Sequence, residues 1–128
     1  MFFMQKTLDQ GVLIMRIGVG LLFLVAGFGK IMDVAGFAAM AGLPSIVAWL
    51  ITLGELLGGL AVFIGFLTRW ASSGLAIIIA GAIFLVHLPA FDFSQAMTVV
   101  NFFIHTALFA TLVGLAFTGS GKYAMRAD

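Results

Sequence analysis

Four runs of apolar residues, each close to the length a helix needs to cross a bilayer, leave this chain few ways to fold. A crossing takes about 20 mostly apolar residues, and residues 11–29, 46–67, 71–88 and 97–117 of the 128 meet that condition. Backbone groups in hydrocarbon have no water to bond, so such runs must be helical. An all-α fold follows: a polytopic membrane four-helix bundle in a single domain. Charged residues make up 9% of the sequence, against about 25% in soluble domains, and this scarcity excludes a water-soluble core of ordinary kind.

The same inventory narrows the chemistry. A net charge of +1 with six basic residues spread along the chain forms no polybasic patch, which argues against a nucleic-acid partner. With no cysteine, the protein itself carries no thiol chemistry and no thiolate ligands for an iron–sulfur cluster. A redox role therefore requires a bound cofactor or a partner protein. Lys6 and Arg16 before the apolar stretch 17–28 imitate a secretory signal, but more hydrophobic spans follow it, so the first span is expected to stay.

Charge also orients the bundle. Four spans put Lys6, Arg16, Arg69, Lys122 and Arg126 on one side and Lys30 on the other, so both termini are expected in the cytoplasm. The loop 31–45 is too short to span yet hardly hydrophilic. Met32, Phe37, Met40 and Leu43 are expected along one side of a short interfacial segment between helices 1 and 2, ended by Gly42 and Pro44. It serves either as a lid or, more simply, as a connector. Pro89 stops the third span before an outer turn with Phe91, Asp92 and Phe93. Gly54 and Gly58 form a small-xxx-small pair, which favours close packing inside the chain first and a homo-oligomer second.

Within the apolar runs the ionisable groups are few. Glu55 is the one carboxylate of the second span, and a charge at membrane depth is expected to face protein or a water-filled cavity. Counting 1.5 Å per residue from Lys30 and Ile46 puts Glu55 roughly 14 Å deep and Arg16 roughly 21 Å, and counting from Met97 puts His105 roughly 12 Å and Asn101 roughly 6 Å deep. Glu55, His105 and Asn101 are thus expected to meet near the middle, with Arg16 reaching up from the cytoplasmic side and Lys30 and His87 at the outer mouth. Such a cluster can pass a proton, hold a quinone-like ring or ligate a metal ion; alternatively, Arg16 and His105 neutralise Glu55 and lock helix register. A haem between His87 and His105 is disfavoured by a depth difference of about 10 Å. No metal centre is expected either, because HxxxH and HxxE spacings are missing.

The ordered motifs Arg16-Ile-Gly-Val-Gly, Gly27-Phe-Gly-Lys30, Gly42-Leu-Pro44, Gly54-Glu55-Leu-Leu-Gly58-Gly59 and Gly65-Phe-Leu-Thr68-Arg69 resemble the DoxX family of small bacterial membrane proteins. The likeness runs from about residue 13 to the end of the fourth span, and His87 fits it. It implies a four-span bundle in the bacterial cytoplasmic (inner) membrane, with the family's arginine, lysine and glutamate at Arg16, Lys30, Glu55 and Arg69. Some relatives are subunits of a thiosulfate to quinone oxidoreductase, and others are linked to oxidative-stress complexes with soluble thiol and superoxide enzymes.

The expectation is therefore a redox-associated membrane subunit, part of an oxidoreductase rather than a complete enzyme. It would bind a quinone-like molecule, with Glu55 and His105 as proton partners and a membrane or soluble redox protein beside it. A non-enzymatic scaffold for a partner complex is the first rival. A proton-coupled transporter is the second, weakened because four-span multidrug exporters carry their buried glutamate in the first span and Glu55 lies in the second.

Overall fold

Pro44, Gly65, Pro89 and Gly119 punctuate the apolar runs, and the helices end where those residues stand. In the computed structural model, which describes residues 1–126, α1 spans Phe2–Ile31, α2 Val34–Ala41, α3 Ser45–Ile64, α4 Thr68–Ala82 and α5 Ala96–Thr118. Four of the helices, counting α4 with its extension to His87, are long and apolar enough to cross a membrane. The first turns of α1 and the tail as far as Arg126 lie at one end of the bundle, the terminal end, and Lys30 and α2 lie at the other, the distal end.

The expected span boundaries differ most at the start. α1 begins nine residues before position 11, because its first turns are amphipathic: Gln5 donates to Asp9 at 3.2 Å, and Asp9 and Val12 are buried beside Gly121 of the C-terminal tail. The helix is about 45 Å long by its rise, so it projects beyond a hydrocarbon core of about 30 Å. The short segment is present too. Asp33 caps α2 by accepting from the Gly36 N–H at 2.9 Å, and Gly42 ends it in the left-handed conformation. Val34 and Ala38 pack with Ala48 of α3, while Met32 and Met40 point outward.

Glycine sets the helix spacing. A Cβ on Gly20 would lie 2.7 Å from Phe63, and one on Gly59 would lie 2.9 Å from Phe23 and 3.1 Å from the Leu24 backbone nitrogen. α1 and α3 therefore touch backbone to backbone, the close approach that substitutes for a hydrophobic driving force between helices in lipid. Gly54 and Gly58 instead meet Ile78 and Leu75 of α4. That contact assigns the small-xxx-small pair to packing within the chain. Phe23, Val62, Leu75, Ile79, Leu112 and Leu115 fill the shared core, and many other large apolar side chains, from Ile14 to Phe117, are exposed as lipid requires.

The third span does not end as a regular helix. Residues Ile83–His87 form a π turn in which the Leu88 N–H donates to the Ile83 carbonyl at 2.7 Å. Pro89 explains it: the ring has no N–H and crowds the carbonyl four residues back, so the last turn widens. The chain then runs back along α5 before entering it. Phe91 stacks edge-on against Phe102 at 5.2 Å between centroids, and Thr98 donates through its hydroxyl to the Asp92 carbonyl.

Candidate functional site

Polar side chains gather toward both ends of the bundle, and the cluster at the terminal end is built from helix termini. At the terminal end α3 stops at Gly65, whose φ of +77° is easily reached only without a side chain. The last carbonyls of α3 have no partner within the helix. Arg16 supplies it: Nε donates to Val62 O at 3.0 Å and Nη2 to Phe63 O at 3.2 Å, while Nη1 donates to Ser120 O and Tyr123 O, both at 2.8 Å. One buried guanidinium thus joins α1, the end of α3 and the C-terminal tail. A cation there also complements the negative end of the helix dipole.

The tail completes the closure. Ser120 donates to Thr68 Oγ1 at 2.7 Å, the Arg126 N–H donates to Gly65 O at 2.6 Å, and the Leu67 N–H donates to Arg126 O at 3.3 Å, holding Leu67 in a left-handed conformation unusual for leucine. Arg69 repeats the device on α5, with Nη1 donating to Phe117 O at 2.7 Å. Arg16 and Arg69 are therefore helix caps at this end.

That placement corrects the expected contact between Arg16 and Glu55. Gly20 faces Phe63 and Gly27 faces Leu56, an antiparallel register that puts Lys30 opposite Leu53 and Arg16 opposite the turn after α3. Arg16 is then about 18 Å from the level of Glu55 by helix rise. Lys30 answers the carboxylate instead: its Nζ lies 2.9 Å from Glu55 Oε2. Among the described residues the structure gives Glu55 no hydrogen bond or ion pair to Arg16, His105 or Asn101. The glutamate side chain is 6% exposed and the lysine 25%, so the pair is buried on the carboxylate side and open on the ammonium side.

Lys30 has a second neighbour. Its Nζ stands 5.2 Å from the centre of the Phe37 ring of α2, within reach of a cation–π attraction. Phe37 is also one wall of an apolar cleft of about 260 Å³ between α2, α3 and α4, together with Leu43, Val47, Ile51, Ile78 and Val86. Gly81 and Ala82 keep its α4 wall low. The cleft and the ion pair thus share Phe37. Neither feature is visible as a motif, although the glycines of the first two spans carry the register that brings Lys30 to Glu55.

His105 and Asn101 form a separate place. His105 Nδ1 lies 2.7 Å from the Asn101 carbonyl, which can only accept, so Nδ1 carries a proton in this contact. Asn101 enters through its backbone. The His87 ring stacks on His105 with centroids 3.8 Å apart and planes tilted by 33°. The expected depth difference of about 10 Å between these histidines is therefore wrong. Because residues 88–95 run back along α5, His105 lies beside the last turn of α4 although it is nine residues into its own helix. In the connection itself, the Ser94 N–H and hydroxyl both donate to Asp92 Oδ1, at 2.9 and 2.8 Å. The backbone N–H above all, then the hydroxyl, holds that exposed carboxyl below its ordinary pKa.

Comparison with known proteins agrees with the motifs. The family model DoxX matches residues 11–88, a stretch that contains Arg16, Lys30, Glu55, Arg69 and His87 and stops before α5. A protein of Bacillus subtilis (strain 168) named Putative oxidoreductase CatD is 32% identical over 126 aligned residues, covering 91% of this chain and 94% of its own length. No solved structure matches the chain. The family match and the near full-length relative settle the classification: this multi-pass membrane protein belongs to the DoxX family.

Proposed function

We propose that the Lys30–Glu55 pair and the adjoining cleft bind the head group of a quinone or a similar lipophilic ring, and that the protein acts as a membrane subunit of an oxidoreductase. The observation that carries this reading is the shared wall. The Lys30 ammonium stands 5.2 Å from the centre of the Phe37 ring, and Phe37 also lines the apolar cleft of about 260 Å³. A ligand with a polar ring and an apolar tail has a place for each part. The ring reaches Lys30 and Glu55, and the tail leaves between α2, α3 and α4 toward lipid. Ligand sites of this kind are mostly apolar with a few placed polar groups.

The chemistry assigned to the chain is limited to what its residues can do. Lys30 donates to a ring oxygen and offsets negative charge that develops there as the ring is reduced. Glu55, within hydrogen-bond reach of Lys30, exchanges a proton with the ligand oxygen. Reduction of a quinone to a quinol takes two electrons and two protons; the electrons would come from a partner oxidoreductase, in line with the name of the Bacillus relative. By the five-to-one distribution of lysine and arginine, this site faces the outer half of the cytoplasmic membrane, with both termini in the cytoplasm.

The test is to fill the cleft without touching the ion pair. Ile78→Trp places an indole into it from α4, and a photoreactive quinone is then crosslinked to the wild type and the variant in lipid nanodiscs. Labelled peptides from α2 and α3, with labelling at least roughly tenfold lower in Ile78→Trp, are expected. Equal labelling of both proteins, or labels scattered over all four spans, would remove the site.

A further inference from the structure

Basic residues that stand far apart in the sequence are gathered by the fold at the terminal end of the bundle, away from the Lys30–Glu55 pair. Arg69, Lys122 and Arg126 line a polar recess of about 280 Å³ between the first turns of α1, the start of α4 and the tail. Lys6 and Lys122 line a second recess of about 530 Å³, walled by Phe2 and Tyr123. The two recesses adjoin, because Gln5, Asp9 and Lys122 belong to both. We propose that together they hold one phospholipid of the terminal-side leaflet, of the cardiolipin type, whose head group carries two phosphodiesters joined by a hydroxyl-bearing linker.

Charge selects the class of ligand. All four cations are exposed, and among the described residues none of them is ion-paired to a carboxylate. Arg69 spends part of its guanidinium on the last carbonyls of α5, whereas the Lys6 and Lys122 ammonium groups face open recesses. Among the described lining residues, four cations stand against the single carboxylate of Asp9. That excess suits a doubly charged head group better than a single phosphate, and basic pockets at the ends of membrane-spanning helices bind lipids of this kind. Asp9 refines the choice. It is buried in the wall common to both recesses, with Oδ1 accepting from the Gln5 amide at 3.2 Å. A carboxylate repels phosphate but accepts from a hydroxyl, so a linker hydroxyl at that wall leaves one phosphate to either side. A phosphodiester, with one negative charge, is also repelled less than a phosphate monoester, which carries about 1.5–2.

Depth and apolar surface supply the rest. A crossing takes about 20 residues, and counting back from Lys30 places residues 2–9 of α1 outside the hydrocarbon, at the level of lipid head groups. Tyr123 suits that level, because aromatic rings with a polar tip gather at membrane interfaces. Beside the second recess, Phe2, Met4 and Leu8 expose an apolar side of the same turns. Acyl chains leave along that surface.

The experiment uses the full-length protein, delipidated in detergent and followed by native mass spectrometry, with tetraoleoyl cardiolipin, dioleoyl phosphatidylglycerol and dioleoyl phosphatidylcholine as probes. One cardiolipin per chain is expected, held at least roughly tenfold more tightly than phosphatidylglycerol, with phosphatidylcholine weaker still. The double variant Lys6→Gln with Lys122→Gln should bind cardiolipin at least roughly tenfold more weakly. It should also stay monodisperse and melt as the wild type does, since neither ammonium is ion-paired among the described residues. Inorganic phosphate should not displace the lipid. Equal affinity for cardiolipin and phosphatidylglycerol would remove the two-phosphate assignment, and unchanged cardiolipin binding in the double variant would remove the recesses as its site. Displacement by inorganic phosphate would give them to a free anion instead and likewise overturn the proposal.

Discussion

Replacing Arg16 with methionine is expected to prevent stable assembly of the bundle. The guanidinium donates to four carbonyls from α3 and the C-terminal tail, and methionine would leave those oxygens without this donor. A hydrogen bond involving a charged group contributes about 1.5–3 kcal/mol, so loss of the set exceeds about 3 kcal/mol even after neighbours relax. Lysine is a poor substitute. Its single ammonium cannot reproduce the fork that reaches two segments at once, and Arg16→Lys should recover less than half of the loss. The thermal unfolding midpoint in mild detergent, followed by size-exclusion chromatography, reads the effect. Wild-type melting of Arg16→Met would show that the tail and the end of α3 do not depend on this residue.

The second large effect is an asymmetry within one ion pair. In Lys30→Met the Glu55 carboxylate, 6% exposed, is left buried without its cation, and breaking a buried pair in this way costs about 3–5 kcal/mol. In Glu55→Gln the ammonium, 25% exposed, keeps the amide oxygen as an acceptor and can lean toward the bundle mouth. That variant should lose no more than about 1 kcal/mol, the scale of one ordinary hydrogen bond. Replacing both, as Lys30→Met with Glu55→Leu, removes the uncompensated charge and should be more stable than Lys30→Met alone. Thermal melts of the three variants decide the matter. Equal destabilisation by the two single changes would contradict the burial difference.

The bundle was legible in the sequence because its cause is crude: hydrocarbon leaves no alternative to helices, and runs of about 20 residues are hard to miss. Helix ends were legible wherever Gly42, Pro44 or Pro89 marked them. The candidate site was legible in its residues but not in its pairings. Glu55 drew attention as the lone carboxylate of its span, yet counting depth from loop boundaries gave it His105 and Arg16 as neighbours. The actual partner, Lys30, follows from the register that Gly20, Gly27 and Gly59 impose on α1 and α3, a tertiary contact that one sequence does not display.

The histidines show the same failure more sharply. An α-helical rise of 1.5 Å per residue does not hold across a span that ends in a π turn and a connection that runs back beside α5. Both irregularities trace to Pro89 and to Phe91 packing on Phe102. Arg16 departs from the expected pairing for another reason. A cation in an apolar helix is commonly sought opposite an anion, whereas here it satisfies the orphan carbonyls at a helix end. Such partners are backbone atoms, and backbone atoms leave no mark in composition.

The most direct measurement of whether Glu55 and Lys30 hold a ligand is mass spectrometry of the small molecules that leave with the protein on mild purification, in the wild type and in Glu55→Gln. The comparison is fair because Glu55→Gln is expected to fold. A quinone or related lipophilic ring at near-stoichiometric amount in the wild type, lost in Glu55→Gln, is the predicted result. The same bulk lipid in both, with no ring compound in either, would contradict it and leave a scaffold for a partner complex as the better reading.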